Sequence, residues 1–371
     1  MTLTIDDDTR MLRDSAVRFF ADSDPAKALR SARNARDLQA LGRGAWDGLV
    51  ELGLAGILVP EEFGGAGLDY RASIHVAEAM GRALAAGPFT ATAVMAATAI
   101  DASDNARLRA TLLPAVAAGA IIVLAVDETA RHRPMEAATV ARRSGGGYRI
   151  SGRKVAVSHG NVAATLIVAA KLDEGLGLFA VDAGASGVAV STHMGVDSHP
   201  AVTIEFRDVD VAEANLLCKS NRSTVVLDRT LDAGRLHLAA EMVGLAAEAF
   251  DRTIEYLKTR VQFGRKIGEF QALQHRAAIL FGELEMARSV VLKAAAEGRD
   301  GARFAEYVSL AKAKAGEVAE RVITEAVQLH GGIGVTDEFD MGLYLKRARA
   351  AGTQLGDWAF HVERRARLLG L

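Results

Sequence analysis

Hydrophobic positions recur at intervals of three and four through Met11, Leu12, Ala16, Val17, Phe19 and Phe20, and again through Trp46, Leu49, Val50 and Leu52. That spacing predicts helices across residues 5–55. A glycine-rich loop follows at residues 54–69, LAGILVPEEFGGAGLD. Residues 72–113 are alanine-rich and read as helix, broken at Gly87-Pro88 and ending at Pro114. From Ala120 the period changes to two. Eight short β-branched runs, at 121–126, 139–143, 148–152, 154–158, 165–170, 176–182, 188–192 and 202–211, are separated by turns such as Gly145-Gly146-Gly147. From Ser223 onward the helical period returns in four long stretches: 223–258, 270–296, 303–329 and a last one ending near Leu369. The expected fold is α+β and multidomain: an N-terminal helical domain over 1–118, a middle antiparallel β barrel or sandwich over 119–220, and a C-terminal four-helix bundle over 221–371.

Composition narrows the function classes. Half of the 371 residues are hydrophobic, enough for a large core, and the net charge of -2 offers no attraction for nucleic acid or an anionic membrane. The single cysteine, Cys218, permits no intrachain disulfide and belongs to no metal-ligand spacing, so it reads as a buried or edge thiol. The N-terminal stretch MTLTIDDDTRMLRDSAVRFF is acidic and amphipathic, unlike an export signal, and the apolar run 115–126 is too short to span a bilayer. The expectation is a cytoplasmic protein with no membrane span.

The chemistry concentrates where the long helical pattern is interrupted, at residues 259–271, TRVQFGRKIGEFQ. Gly264 and Gly268 predict a helical hairpin with Arg260, Arg265 and Lys266 gathered at its corner. Such a corner either holds a phosphate, with Arg260 presenting a planar fork of donors, or carries solvated cations at a helix end. R-x-x-F-G followed by F-Q, together with Gln328-Leu329-His330-Gly331-Gly332 further on, resembles the acyl-CoA dehydrogenase family, and the helical, β, helical order extends the resemblance over nearly the whole chain.

The resemblance implies FAD-dependent α,β-desaturation of an acyl-CoA thioester, with electron-transfer flavoprotein as acceptor. In that family the two motifs reach across a subunit interface to a neighbour's flavin, which here assigns FAD contacts to Arg260, Gln262, Phe263, Gln271, Gln328, Gly331 and Gly332. On residue chemistry alone, Gly331-Gly332 equally reads as a helix end. The half of the flavin site built within one subunit departs from the family pattern. The T-E-P-x-A-G-S-D-like loop becomes residues 127–134, DETARHRP, and the W-I-T-N-G-like segment becomes residues 156–160, AVSHG, which keeps only the hydroxyl of Ser158.

The proton-abstracting glutamate is missing from both of its family positions. Counting 27 residues beyond Gln328 gives Leu355, and 26 residues before Arg260 gives Gly234. Glu241, two turns beyond Gly234 on nearly the same helix face, is the candidate substitute, with Asp357 and Asp232 behind it. An acid within an alanine-rich helix equally reads as ion-paired or solvated. His330, inside the second motif, reads as helix-end packing.

The losses are directional: the base and the within-subunit contacts are gone, while the contacts aimed at a neighbour remain. The chain accordingly resembles the smaller, base-lacking subunit of heteromeric acyl-CoA dehydrogenases of steroid side-chain or pimeloyl-CoA type. The expected assembly is an α2β2 complex with a second acyl-CoA dehydrogenase subunit. The alternatives are a self-sufficient homo-oligomer with Glu241 as relocated base, and a flavin-free structural subunit.

Overall fold

The computed structural model describes residues 6–371. In chain order the helices are α1 (Asp7–Ser23), α2 (Pro25–Ala35), α3 (Leu38–Arg43), α4 (Trp46–Glu51), α5 (Tyr70–Ala83), α6 (Ala97–Asp101) and α7 (Ala106–Ala117). The strands β1 (Ile122–Ala125), β2 (Val140–Ser144), β3 (Gly147–Lys154), β4 (Thr165–Leu172), β5 (Gly175–Asp182), β6 (Val188–Met194), β7 (Pro200–Ala212) and β8 (Leu216–Lys219) follow. Then come α8 (Ser220–Thr259), the two-residue strands β9 (Val261–Gln262) and β10 (Arg265–Lys266), α9 (Gln271–Glu297), α10 (Phe304–His330), α11 (Met341–Thr353) and α12 (Trp358–Leu368). The chain forms two compact units. One contains residues up to Ala26, Tyr70–Ala85 and Arg235–Leu371; the other contains Lys27–Asp69 and Ala86–Gly234.

The order helical, β, helical is as the hydrophobic periods predict. Several details differ. Pro114 does not end its helix: the ring already holds a helical φ, so α7 runs on to Ala117 with one hydrogen bond fewer. After Gly87-Pro88 the backbone winds as a π-helix over Phe89–Ala96, for which no sequence signal exists.

The sheet of the second unit is mixed and open. Its path is β6-β7-β3-β2-β4-β5-β8, and β1 pairs β4 in parallel, Ile122 opposite Thr165. β2 also meets β4 in parallel, at Val140 and Lys171. The expected run 148–152 lies within β3, whose register against β7 shifts between Ile150 and Gly152, whereas of the expected run 154–158 only Lys154 is strand and the rest is a turn. The eighth strand is instead the unforeseen β8, which carries the buried Cys218. Burial raises the pKa of that thiol, which makes it a weak nucleophile.

In the first unit the last helical stretch is split. α11 and α12 are separated at residues 354–357, where Leu355 (φ 57°) and Gly356 (φ 108°) are left-handed. Asp357 begins α12 as its N-cap, its carboxylate accepting the Phe360 N–H at 2.8 Å.

Candidate functional site

The corner after α8 is a β-hairpin and not a helical one. β9 and β10 pair antiparallel, Gln262 opposite Arg265, leaving Phe263 and Gly264 as a two-residue turn. Both have positive φ, 55° and 80°, the conformation such tight turns require. Glycine relieves the strain at 264, whereas Phe263, 90% exposed as a residue, bears it. The returning chain lies against the end of α8, and a Cβ at Gly268 would sit 2.8 Å from the Leu257 carbonyl oxygen. Arg265 stacks over Phe270, 4.2 Å from its centroid.

Every residue assigned to the outward flavin contacts is at the surface of this chain: Arg260, Gln262, Phe263, Gln271, Gln328, Gly331 and Gly332 are all exposed. Gly331, at φ 65°, ends α10. Between the two segments lies His330, 3% exposed, stacked on Tyr256 and in contact with Phe339. It is packed at a helix end.

Glu241 is committed. Arg347 of α11 grips it with both ends of the fork, Nε to Oε1 at 2.5 Å and Nη2 to Oε2 at 3.0 Å, and the two side chains are 14% and 13% exposed. Both carboxylate oxygens are thus taken up by the guanidinium, which makes Glu241 an ion-pair partner. Asp357 is engaged as the cap of α12, and Asp232 is buried.

Where the family's carboxy-terminal base would stand, the structure places buried cations. Lys312 of α10, 2% exposed, donates to three carbonyls of the α11–α12 joint: Ala351 at 2.9 Å, Gly352 at 3.0 Å and Gly356 at 3.2 Å. Arg235 of α8, 1% exposed, donates from Nε to the Leu355 carbonyl at 3.2 Å. Burial, aided by the Arg235 charge, pushes Lys312 down to about 7, while the three carbonyls favour its charged form. His361, fully buried and facing Lys312, Arg235 and Arg364, is driven far below its ordinary value and is neutral. Sequence reading missed this cluster, because its acceptors are backbone atoms.

In the other unit, the loop between β1 and β2 is tied down by its own side chains. Lys154 of β3, wholly buried, donates to the Val126 carbonyl at 2.9 Å and to Glu128 at 2.7 Å. Glu128 in turn accepts the N–H groups of Ala138 (2.6 Å) and Thr139 (2.9 Å). Burial alone would raise the Glu128 pKa, but Lys154 and Thr139 outweigh it and the value ends lowered. His132 Nδ1 lies 2.9 Å from the Asp127 carboxylate. The loop encloses a cavity of about 370 Å³ lined by Glu128, Thr129, Arg131, Arg133 and Glu136–Ala138. The lining carries both signs, Glu128 and Glu136 against Arg131 and Arg133, with Arg133 paired to Glu136 at 3.1 Å. Ser158 lies beyond β3 in a turn, half-buried, beside the left-handed Ala156 and His159.

Three family descriptions cover the chain in order: "Acyl-CoA dehydrogenase, N-terminal domain" over residues 6–120, the middle domain over 122–209 and the C-terminal domain over 224–368. The chain belongs to the acyl-CoA dehydrogenase family. Members of this family bind FAD and are oxidoreductases acting on the CH–CH group of acyl-CoA. The mitochondrial isovaleryl-CoA dehydrogenase of Pongo abelii is 31% identical over 362 residues, 93% of this chain and 84% of that protein. A Tcur3481-Tcur3483 steroid acyl-CoA dehydrogenase variant superimposes at TM-score 0.87 with 31% identity, covering 98% of each chain. The ChsE4-ChsE5 complex from Mycobacterium tuberculosis does so at TM-score 0.87 with 25% identity, over 100% of this chain and 99% of that one. Among the described residues no helix is long and apolar enough to cross a membrane.

Proposed function

We propose that this chain is the base-lacking subunit of a heteromeric acyl-CoA dehydrogenase, an α2β2 complex that desaturates a bulky acyl-CoA of steroid side-chain type and passes electrons to an electron-transfer flavoprotein. The observation that carries the reading is the exposure of the seven residues Arg260, Gln262, Phe263, Gln271, Gln328, Gly331 and Gly332, set against the absence of a carboxylate at Gly234 and Leu355. Arg260 would hold the flavin pyrophosphate as a planar cation, Gln271 and Gln328 would offer amide hydrogen bonds, and Gly331-Gly332 would allow close backbone approach. Bound FAD supplies hydride acceptance; the partner supplies the glutamate. The first unit fits such a group at its surface, whereas the loop at 127–139 is occupied by its own ion pairs. Two of the similar structures contain two named components, and that agrees with an unlike pair.

The test is expression of the chain alone and together with a family member that carries the glutamate. Flavin colour and acyl-CoA oxidation only on co-expression, both lost in Arg260→Ala, support the reading. A yellow, active protein made from this chain alone would instead establish a homo-oligomer using Glu241. Flavin uptake by the complex that ignores Arg260→Ala would establish a structural subunit.

A further inference from the structure

The two stretches the flavin reading depends on arise at the ends of different helices, the hairpin after α8 and the glycine pair after α10. A single ring lies between them. His330 stacks on Tyr256 of α8, with centroids 4.5 Å apart and planes at 29°, and leans on Phe339, with centroids 4.7 Å apart and planes at 41°. Tyr256 is one helical turn before the hairpin, and its carbonyl accepts the Arg260 N–H at 2.8 Å. On the other side, His330 directly precedes the left-handed Gly331. A displacement of Tyr256 moves the backbone of Arg260, and a displacement of His330 moves Gly331.

The imidazole plays no acid or base part. Its Nδ1 donates to the Ala326 carbonyl at 2.8 Å, while Nε2 is buried with no hydrogen-bond partner. Burial pushes its pKa down, so the ring is neutral at ordinary pH. A neutral flat ring held between two aromatic faces is a spacer.

We infer that His330 is a positioning residue, whose ring, wedged between Tyr256 and Phe339, sets the separation of the Arg260 hairpin from the Gln328–Gly332 segment. Its bearing on the cofactor rests on the function proposed above; the mechanical coupling does not. Phenylalanine in this place keeps both ring contacts and gives up only the Nδ1 bond to the Ala326 carbonyl, whereas alanine loses the bond and leaves a gap the size of the ring.

The test compares wild type, His330→Phe and His330→Ala in two measurements. Amide hydrogen exchange is followed at residues 258–266 and 331–336 in the full chain, and FAD is titrated into the co-expressed complex. The alanine variant is expected to exchange about tenfold faster in both segments and to bind FAD about tenfold more weakly, as the loss of aromatic pairs implies, with phenylalanine restoring both. Should the alanine variant fail to fold, His330→Leu fills the volume without a flat face and is expected to give the same result as alanine. Faster exchange confined to 331–336, or no change at all, overturns the coupling. Faster exchange in both segments with unaltered FAD affinity upholds the coupling and overturns the flavin reading.

Discussion

Lys312 offers a measurable consequence of burying a cation against carbonyls. Its ammonium is 2% exposed and faces Arg235 and Glu241 on α8, Arg347 on α11 and Asp357 at the head of α12. With its pKa lowered from 10.5 to about 7, the folded chain gives up this proton well before the unfolded chain does. Below pH 7 both states hold the proton, and folding bears the full cost of burying it. Between about pH 7 and 10.5 the unfolded state binds more protons, so stability rises with pH, at up to about 1.4 kcal/mol per unit. Allowing for half-protonation at the starting point, the gain from pH 7 to pH 9 is about 2 kcal/mol. Other groups titrate in the same range, so the quantity to measure is the difference between wild type and Lys312→Met. Urea unfolding followed by circular dichroism at pH 6, 7, 8 and 9 supplies it. The difference should be level from pH 6 to about 6.5 and then climb in favour of wild type. A difference that stays level to pH 9 would show that the carbonyls of Ala351, Gly352 and Gly356 hold the proton against burial, and would refute the argument.

Three other perturbations probe separate parts of the site. Arg347→Met strands the Glu241 carboxylate and should cost about 3 kcal/mol in urea unfolding, most of it recovered by adding Glu241→Gln, because the penalty is an uncompensated buried charge; a double variant no better than the single one would contradict this. Gly268→Ala drives a Cβ to 2.8 Å from the Leu257 oxygen, and should destabilise by about 1–3 kcal/mol, read as a lower thermal midpoint. Phe263→Ala, with 90% of that residue exposed, should leave the stability of the isolated chain within about 0.5 kcal/mol while weakening FAD binding in the complex; equal FAD affinity would remove Phe263 from the cofactor contacts.

The parts of the fold that could be read from the chain are those with a local cause. Period three-to-four produced α8, α9 and α10 near their observed bounds and helices without separate bounds across 5–55, and period two produced most of the sheet. What escaped is non-local or lies in the backbone. No residue type announces that Leu355 turns left-handed, so α11 and α12 read as one helix. The parallel pairing of β1 with β4 spans about forty residues, and the runs themselves carry no sign of strand direction. At the hairpin Gly264 was legible as a turn, but the two short strands around it were too brief for any period.

The candidate base shows the same limit. Glu241 and Arg347 are 106 positions apart, and nothing along the helix tells an ion-paired glutamate from a poised one. The counts that lead to Gly234 and Leu355 are local, and they rest on the sequence alone. The fold adds what holds the backbone at the second position. The Leu355 carbonyl is tied to the buried Arg235, the neighbouring Gly356 carbonyl to Lys312, and the ring of His361 faces both cations without carrying charge. The α11–α12 joint is therefore built from backbone carbonyls and buried basic side chains, while the residues of the two family motifs lie exposed at the ends of α8 and α10.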